Sequence, residues 1–309
     1  MATAPIAAET LRFVRRSRQR DLWFATLALV ILFAACLTLF GLIADLVIRG
    51  APHIDRDFFT SYPSRRPADA GILSAWVGTV VVMAVTAVIA IPLGVAAGVY
   101  LEEYARRSLF TDIIEINIAN LAAVPSIIYG LLALGLFVYG AGFGSTILTA
   151  GVTLALLILP VIIVATREAL RSLPREMREG AFALGADRWQ VVSMFLLPAA
   201  RPGIMTGVIV GLSRAIGETA PLITIGALTF IAFLPPPPFT PEFPWISLDW
   251  LWSPFTVLPI QMFNWVSRPQ PAFHELAAAA GVVLLALTLV MNGLAIYIRY
   301  RDRARRVLG

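Results

Sequence analysis

The amino-acid sequence predicts an all-α, polytopic membrane protein with six transmembrane helices, and three observations carry that reading. Hydrophobic residues make up 59% of the 309 positions and charged residues only 14%, whereas a globular chain carries about 25% charged residues. Six apolar runs, at about Leu22–Ile48, Leu73–Leu101, Ile113–Tyr139, Thr146–Thr166, Gly203–Phe233 and Leu276–Ile298, are each near or above the roughly 20 residues a helix needs to cross a bilayer. Finally, the arginines are divided very unequally between the two sets of connections that six crossings create.

That division sets the topology. All 24 basic residues are arginine. A cytoplasmic N-terminus puts five in Met1–Asp21, two in Glu102–Asp112, six in Arg167–Arg201 and five in Arg299–Gly309. The other side then holds only Arg49, Arg56, Arg65, Arg66 and Arg268. Positive charge gathers on cytoplasmic loops, so this orientation is strongly favoured. Residues 1–21 then form a basic cytoplasmic segment, 22–48 the first span and 299–309 a basic cytoplasmic tail. Phe33-Ala34-Ala35-Cys36 resembles a lipoprotein processing site, but the apolar run continues to Ile48, longer than the roughly 7–15 residues of a signal h-region. Cys36 is expected to be a small packing residue.

Composition also removes function classes. Without lysine the chain cannot hold a Walker A loop, whose lysine reaches the nucleotide phosphates, and it has no lysine for Schiff-base chemistry. His53, His274 and Cys36 supply too few ligands for structural zinc or a disulfide. No metal, no cofactor and no catalytic residue is therefore expected in this chain. The net charge of +5 is accounted for by topology, so the expected surroundings are membrane lipid and not nucleic acid.

Two connections fall outside. Arg49–Gly71 is the shorter; 234–273 holds ten of the 21 prolines and Trp245, Trp250, Trp252 and Trp265. That composition suits a stiff segment lying on the membrane interface, compatible with a docking surface for an extracytoplasmic partner. The connection at 167–200 lies inside and reads as an elbow. Pro174 opens a short helix over Arg175–Leu184, Gly185 ends it, and Asp187 with Gln190 caps the next. Leu196, Leu197 and Pro198 are expected to hold the elbow flat on the membrane face. It reads either as an interfacial amphipathic helix on lipid or as a coupling element that inserts into a partner protein.

The fifth span contains the main anomaly. Gly203, Gly207, Gly211 and Ala215 recur every four residues, a small-residue stripe that lets another helix approach closely. Arg214 and Glu218 share one face beside it, and a charge at the bilayer centre costs on the order of 3 kcal/mol. The pair is either a self-neutralising packing device or the lining of a pathway. Pro221 cannot donate to the carbonyl of Gly217, so the helix is expected to kink or break between them, as helices do at transporter sites. In the third span Ser126 and Tyr129 follow Pro125 and could donate into a pore or simply pack. Asn117 and Asn120 are expected to bond between helices.

Glu179-Gly180-Ala181, Gly185, Phe195, Leu197 and Pro198 resemble the EAA loop of ABC importer permeases in order and spacing, with Gly180 replacing alanine and Phe195 replacing isoleucine. Val124–Leu131 and Arg214–Leu222 are similar to phosphate importer permeases, and the GETAPL ending with Phe255–Gln261 resembles the PstA-type subunit. The resemblance spans roughly Leu73 to Arg301. It implies a type I ABC importer permease (MetI-like) fold over 73–298, in a bacterial inner membrane. It also implies a PstC-like second permease subunit, two copies of a PstB-like ATPase that carry the ATP and magnesium, and a PstS-like phosphate-binding protein. Glu179, Gly180, Ala181, Gly185, Leu197 and Pro198 would then couple to the ATPase. Arg214, Glu218, Ser126, Tyr129 and Thr219 would line the substrate pathway, with Gly203, Gly207, Gly211, Pro125 and Pro221 shaping the helices. Arg214 offers planar, permanent donors to phosphate oxygens. Glu218 either restrains Arg214 or accepts a hydrogen bond from protonated phosphate, which fully ionised sulfate cannot supply.

Overall fold

A computed structural model describes residues 4–106, 108–239, 245 and 247–307. The helices in chain order are α1 (Ala4–Gly50), α2 (Arg56–Thr60), α3 (Leu73–Val99), α4 (Leu109–Ala122), α5 (Ser126–Ala133) and α6 (Ile147–Arg171). They continue with α7 (Arg175–Ala183), α8 (Arg188–Gln190), α9 (Leu197–Ile216), α10 (Ala220–Thr224), α11 (Leu258–Val266) and α12 (Pro271–Val307). Turns of π-helix extend α3 through Tyr100–Tyr104, α5 through Leu134–Gly140, and join α8 to α9 through Val191–Leu196.

Among the described residues five helical segments are long and apolar enough to cross a membrane, and six if one bent pair counts as a single span. At the centre is α6, most of whose apolar length is buried. Two neighbours reach it through glycines. A Cβ on Gly98 of α3 would sit 2.6 Å from Thr166 Cβ, and one on Gly203 of α9 would sit 2.6 Å from Ala169 Cβ. Gly207 meets Ala165 more closely still. The stripe read from the sequence therefore faces α6, where small residues on both helices let the backbones approach. α12 closes the bundle on the other side of α9, with a 2.7 Å hydrogen bond between Ser213 Oγ and Asn292 Oδ1.

α1 stands apart. It runs unbroken through the boundary expected near residue 21, and none of its most apolar window is buried. Its attachment is at the Gly50 end, where a Cβ would lie 2.7 Å from the Ala278 backbone of α12. Leu46 packs at Gly281, and His53 Nε2 lies 3.1 Å from Glu275 Oε2. Cys36 is exposed, so it is not the packing residue expected.

Three further expectations are corrected. The run Ile113–Tyr139 is not one straight span: α4 and α5 are bent by 106° at the break before Ser126. Pro125 has no N–H and restricts the residue before it, and the chain turns there. The fifth span does not run from Gly203 to Phe233; a continuous helical path covers Arg188–Ile216 and stops. The π-turn before Pro198 shifts the hydrogen-bonding register, and the proline falls in the first turn of α9, where a missing N–H is tolerated. Leu196 is consequently buried in the core instead of pinning an elbow to a surface. Finally, much of the 234–273 segment folds inward. Phe255, Val257, Leu258, Ile260 and Trp265 are buried, and Leu258 N–H donates to Thr79 Oγ1 of α3 at 2.9 Å. Prolines 235–238 lie along α3 at Val77, Val80 and Ala84, while Trp252 stays half exposed.

Candidate functional site

α9 ends at Ile216 and the chain leaves helical geometry through Gly217, Glu218 and Thr219 before α10 starts at Ala220. Pro221 sits in the first turn of α10. Its absent N–H matters least there, so the proline opens a new helix after the break instead of kinking a continuous one. Gly217 and Glu218 close the end of α9, with Glu218 N–H donating to Ala215 O at 3.2 Å.

A second break faces the first. Asn120 and Leu121 carbonyls accept from Ala123 and Val124, Pro125 turns the chain, and α5 begins at Ser126. The Tyr129 hydroxyl reaches back over the break and donates to Leu121 O at 2.8 Å, fixing the bend. α5 and α10 pack together. Their closest approach is at Gly130, where a Cβ would lie 2.6 Å from Pro221 Cα and 2.7 Å from Pro221 O, and nearer still to the Thr224 hydroxyl. Only glycine fits. Two interrupted membrane segments are thus held face to face.

Arg214 stands at this junction. Its Nε lies 3.4 Å from Glu218 Oε1, and its charge is within electrostatic reach of the Tyr129 hydroxyl. The Arg214 side chain is 37% exposed and that of Glu218 18%. No other hydrogen bond reaches Arg214 among the described residues, so neither terminal amino group is committed to one of them. A guanidinium fork of N–H groups beside irregular backbone has the geometry that suits planar or tetrahedral oxyanions. Ser126 and Thr219 are half-buried on the two sides of the junction. The structure therefore brings Arg214, Glu218, Ser126, Tyr129 and Thr219 to one pair of breaks. Asn117 does not bridge helices: its amide donates to Ile113 O of its own helix at 2.8 Å.

At the arginine-rich end the elbow has the predicted parts. Pro174 precedes α7, Gly185 takes φ +83°, and Asp187 and Gln190 form a reciprocal capping box at 2.8 and 2.9 Å. Glycine occupies that left-handed conformation without a Cβ penalty. Ala181 is buried and anchors α7, whereas Glu179 and Gly180 are exposed. Phe182, Leu184, Trp189 and Met194 stand out around them, with Leu184 83% exposed. Leu197 and Pro198 lie in the first turn of α9, half-buried.

Sequence reading missed the ion pairs beneath the elbow. Arg178 of α7 donates to Glu103 Oε1 at 2.6 Å and to the Leu170 carbonyl at 2.9 Å. Arg171 meets Glu102 at 3.0 Å, Arg167 lies 3.6 Å from Glu102 and 2.6 Å from Glu115. Arg188 sits over the Tyr104 ring at 5.9 Å. The arginine–glutamate partners are 52 to 75 positions apart in the chain, and no spacing rule connects them.

Comparison with known proteins adds family and fold. Residues 90–301 match the family described as binding-protein-dependent transport system inner membrane component. A probable ABC transporter permease protein of Bacillus subtilis, YqgI, is 33% identical over 82% of this chain and 86% of its own length. The phosphate transport system permease protein PstA of Haemophilus influenzae is 32% identical, covering 92% of this chain and 95% of that one. Among solved structures, a bacterial alginate ABC transporter bound to its alginate-loaded periplasmic protein superposes with a TM-score of 0.64 at 14% identity, over 92% of this chain and 96% of that one. The MetNI methionine ABC transporter gives 0.51 at 18% identity, over 74% and 94%. At these identities the structures speak to fold, which is that of ABC importer permeases.

Proposed function

Because the chain belongs to the binding-protein-dependent transport system inner membrane components, we propose that it is the permease subunit of an ATP-driven phosphate importer. The arginine-rich end, with both termini, faces the cytoplasm, as the distribution of arginines favours. The pathway runs past the facing breaks at Pro125 and Gly217–Thr219. Arg214 receives a phosphate oxygen on its free amino groups, and Glu218 keeps the guanidinium oriented until the anion arrives. Irregular backbone at membrane depth is tolerated where it lines such a cavity.

The chain contributes no covalent chemistry. A separate ATPase, with its ATP and magnesium, docks on the exposed elbow around Glu179, Gly180 and Leu184. ATP-driven movement of α7 then alternates access to the site. A PstC-like second permease completes the pathway, a second ATPase copy completes the motor, and an external phosphate-binding protein delivers the solute. The relatives named for phosphate transport, similar over most of their length, support this solute.

The observation that carries the reading is Arg214, a guanidinium with two uncommitted amino groups at the junction of two broken helices. The test is ATP-dependent uptake of radiolabelled phosphate in vesicles containing the full complex, with sulfate as competitor. Saturable uptake that excess sulfate does not suppress is expected. Uptake of sulfate equal to that of phosphate would replace phosphate with a broader oxyanion class.

A further inference from the structure

The ion pairs beneath the elbow form one connected path, and it leads to the bent span. α7 is tied by Arg178 to Glu103, whose side chains are 21% and 12% exposed. Arg178 also donates to Leu170 O in the last turn of α6 and to Leu173 O in the turn that follows it. Glu102, next to Glu103, accepts a hydrogen bond from Arg171 of α6 and lies 3.6 Å from Arg167 Nε of the same helix, an ionic approach beyond hydrogen-bond reach. Arg167, with only 10% of its side chain exposed, passes on to Glu115 of α4 at 2.6 Å. No residue of α4 is buried by the rest of this chain. Its contact with the body of the protein is along α6, and the Arg167–Glu115 pair is its one ionic tie among the described residues. Beyond α4 lie the 106° bend and the junction that carries Ser126 and Tyr129.

We infer that Arg178 and Arg167 are positioning residues of the transport cycle. Through Glu103 and Glu102 on the end of α3, they yoke the coupling helix α7 to the half-span α4, so displacement of α7 is delivered to the bend beside the substrate junction. This deepens the transport reading and rests on it. The physical reason for ions here is directional stiffness. Apolar contacts slide at little cost, whereas a half-buried guanidinium–carboxylate pair with two parallel bonds holds its register. Breaking one partner leaves a charge without compensation, so the yoke resists slipping.

The test uses the full complex in vesicles with Arg178→Glu, Glu103→Arg, and the two together. Uptake and ATP hydrolysis are read separately. Each single variant is expected to keep ATP hydrolysis and lose about tenfold in solute moved per ATP, as loss of one charge-assisted pair would give. The reversed pair should restore much of the ratio, short of full recovery because the Leu170 and Leu173 carbonyls lose their donor. A second readout needs no solute: in a Cys36→Ser background, Ala123→Cys at this exposed position is labelled with a thiol reagent with and without ATP. An ATP-dependent change in rate should disappear in the single variants and return in the double. A solute-to-ATP ratio equal to wild type in both single variants would overturn the yoke. So would single variants that assemble normally yet show no recovery on reversal. If the wild-type complex hydrolyses ATP without moving phosphate, the solute assignment fails, while the Ala123 labelling still decides the yoke.

Discussion

Adding one methyl group at Gly130 should force apart the junction of α5 and α10. In Gly130→Ala the new Cβ would lie 2.6 Å from Pro221 Cα and 2.7 Å from Pro221 O, against an ordinary contact that begins at 3.4 Å. The Thr224 hydroxyl is held in place by its donation to Pro221 O at 2.8 Å, and the remaining obstacles are backbone. Relief therefore requires α5 and α10 to part by about 0.8 Å, the difference between 3.4 and 2.6 Å, at the typical overpacking cost of about 1–3 kcal/mol. Gly135→Ala is the matched control. It lies five positions further along the same helical stretch with nothing within 4 Å of its Cβ. The assay is thermal unfolding of the detergent-solubilised complex beside solute uptake at equal membrane levels. Gly130→Ala should lower the unfolding temperature and uptake, while Gly135→Ala should change neither. Equal behaviour of the two variants would refute the argument that these broken segments are held by close backbone approach.

Other predictions follow the same logic. Gly207→Val forces side chain against Ala165 on α6 and should destabilise the bundle by about 1–3 kcal/mol, measured by the same unfolding assay, whereas Gly41→Ala on α1, with open space around it, should not. Gly185→Ala places a Cβ at φ +83° and should cost roughly 1 kcal/mol, visible as faster hydrogen exchange through α7 and α8. Leu184→Asp alters an exposed apolar side chain, so the chain's own unfolding should move by less than about 0.5 kcal/mol, while retention of the ATPase on purification falls; unchanged retention would remove the elbow as its dock.

Much of this was legible in the sequence because it depends on local rules. The glycine stripe on α9, the left-handed Gly185, the Asp187–Gln190 box and the break before Pro221 each follow from residue type and short spacing. What escaped depends on register or on distance. Ile113–Tyr139 is mostly apolar, and periodicity cannot distinguish one span from two half-spans meeting at Pro125. Pro198 reads as a boundary until the π-turn of Val191–Leu196 places it in a first turn. The outer tryptophans read as an interfacial belt, yet Trp265 is completely buried beside Phe58 and Phe273. Glu102, Glu103, Arg167 and Arg178 look like ordinary loop charges. Only the fold reveals that they are partners.

The account turns on Arg214 as the group that receives the anion, and the most direct measurement is phosphate uptake by complexes carrying Arg214→Gln or Glu218→Gln at matched membrane levels. Losing a charge-assisted contact to the anion should reduce uptake in Arg214→Gln by about tenfold or more. Glu218→Gln should lower uptake by less, because the Glu218 carboxylate orients the Arg214 guanidinium and does not itself hold the anion. Wild-type uptake in both variants would contradict the account.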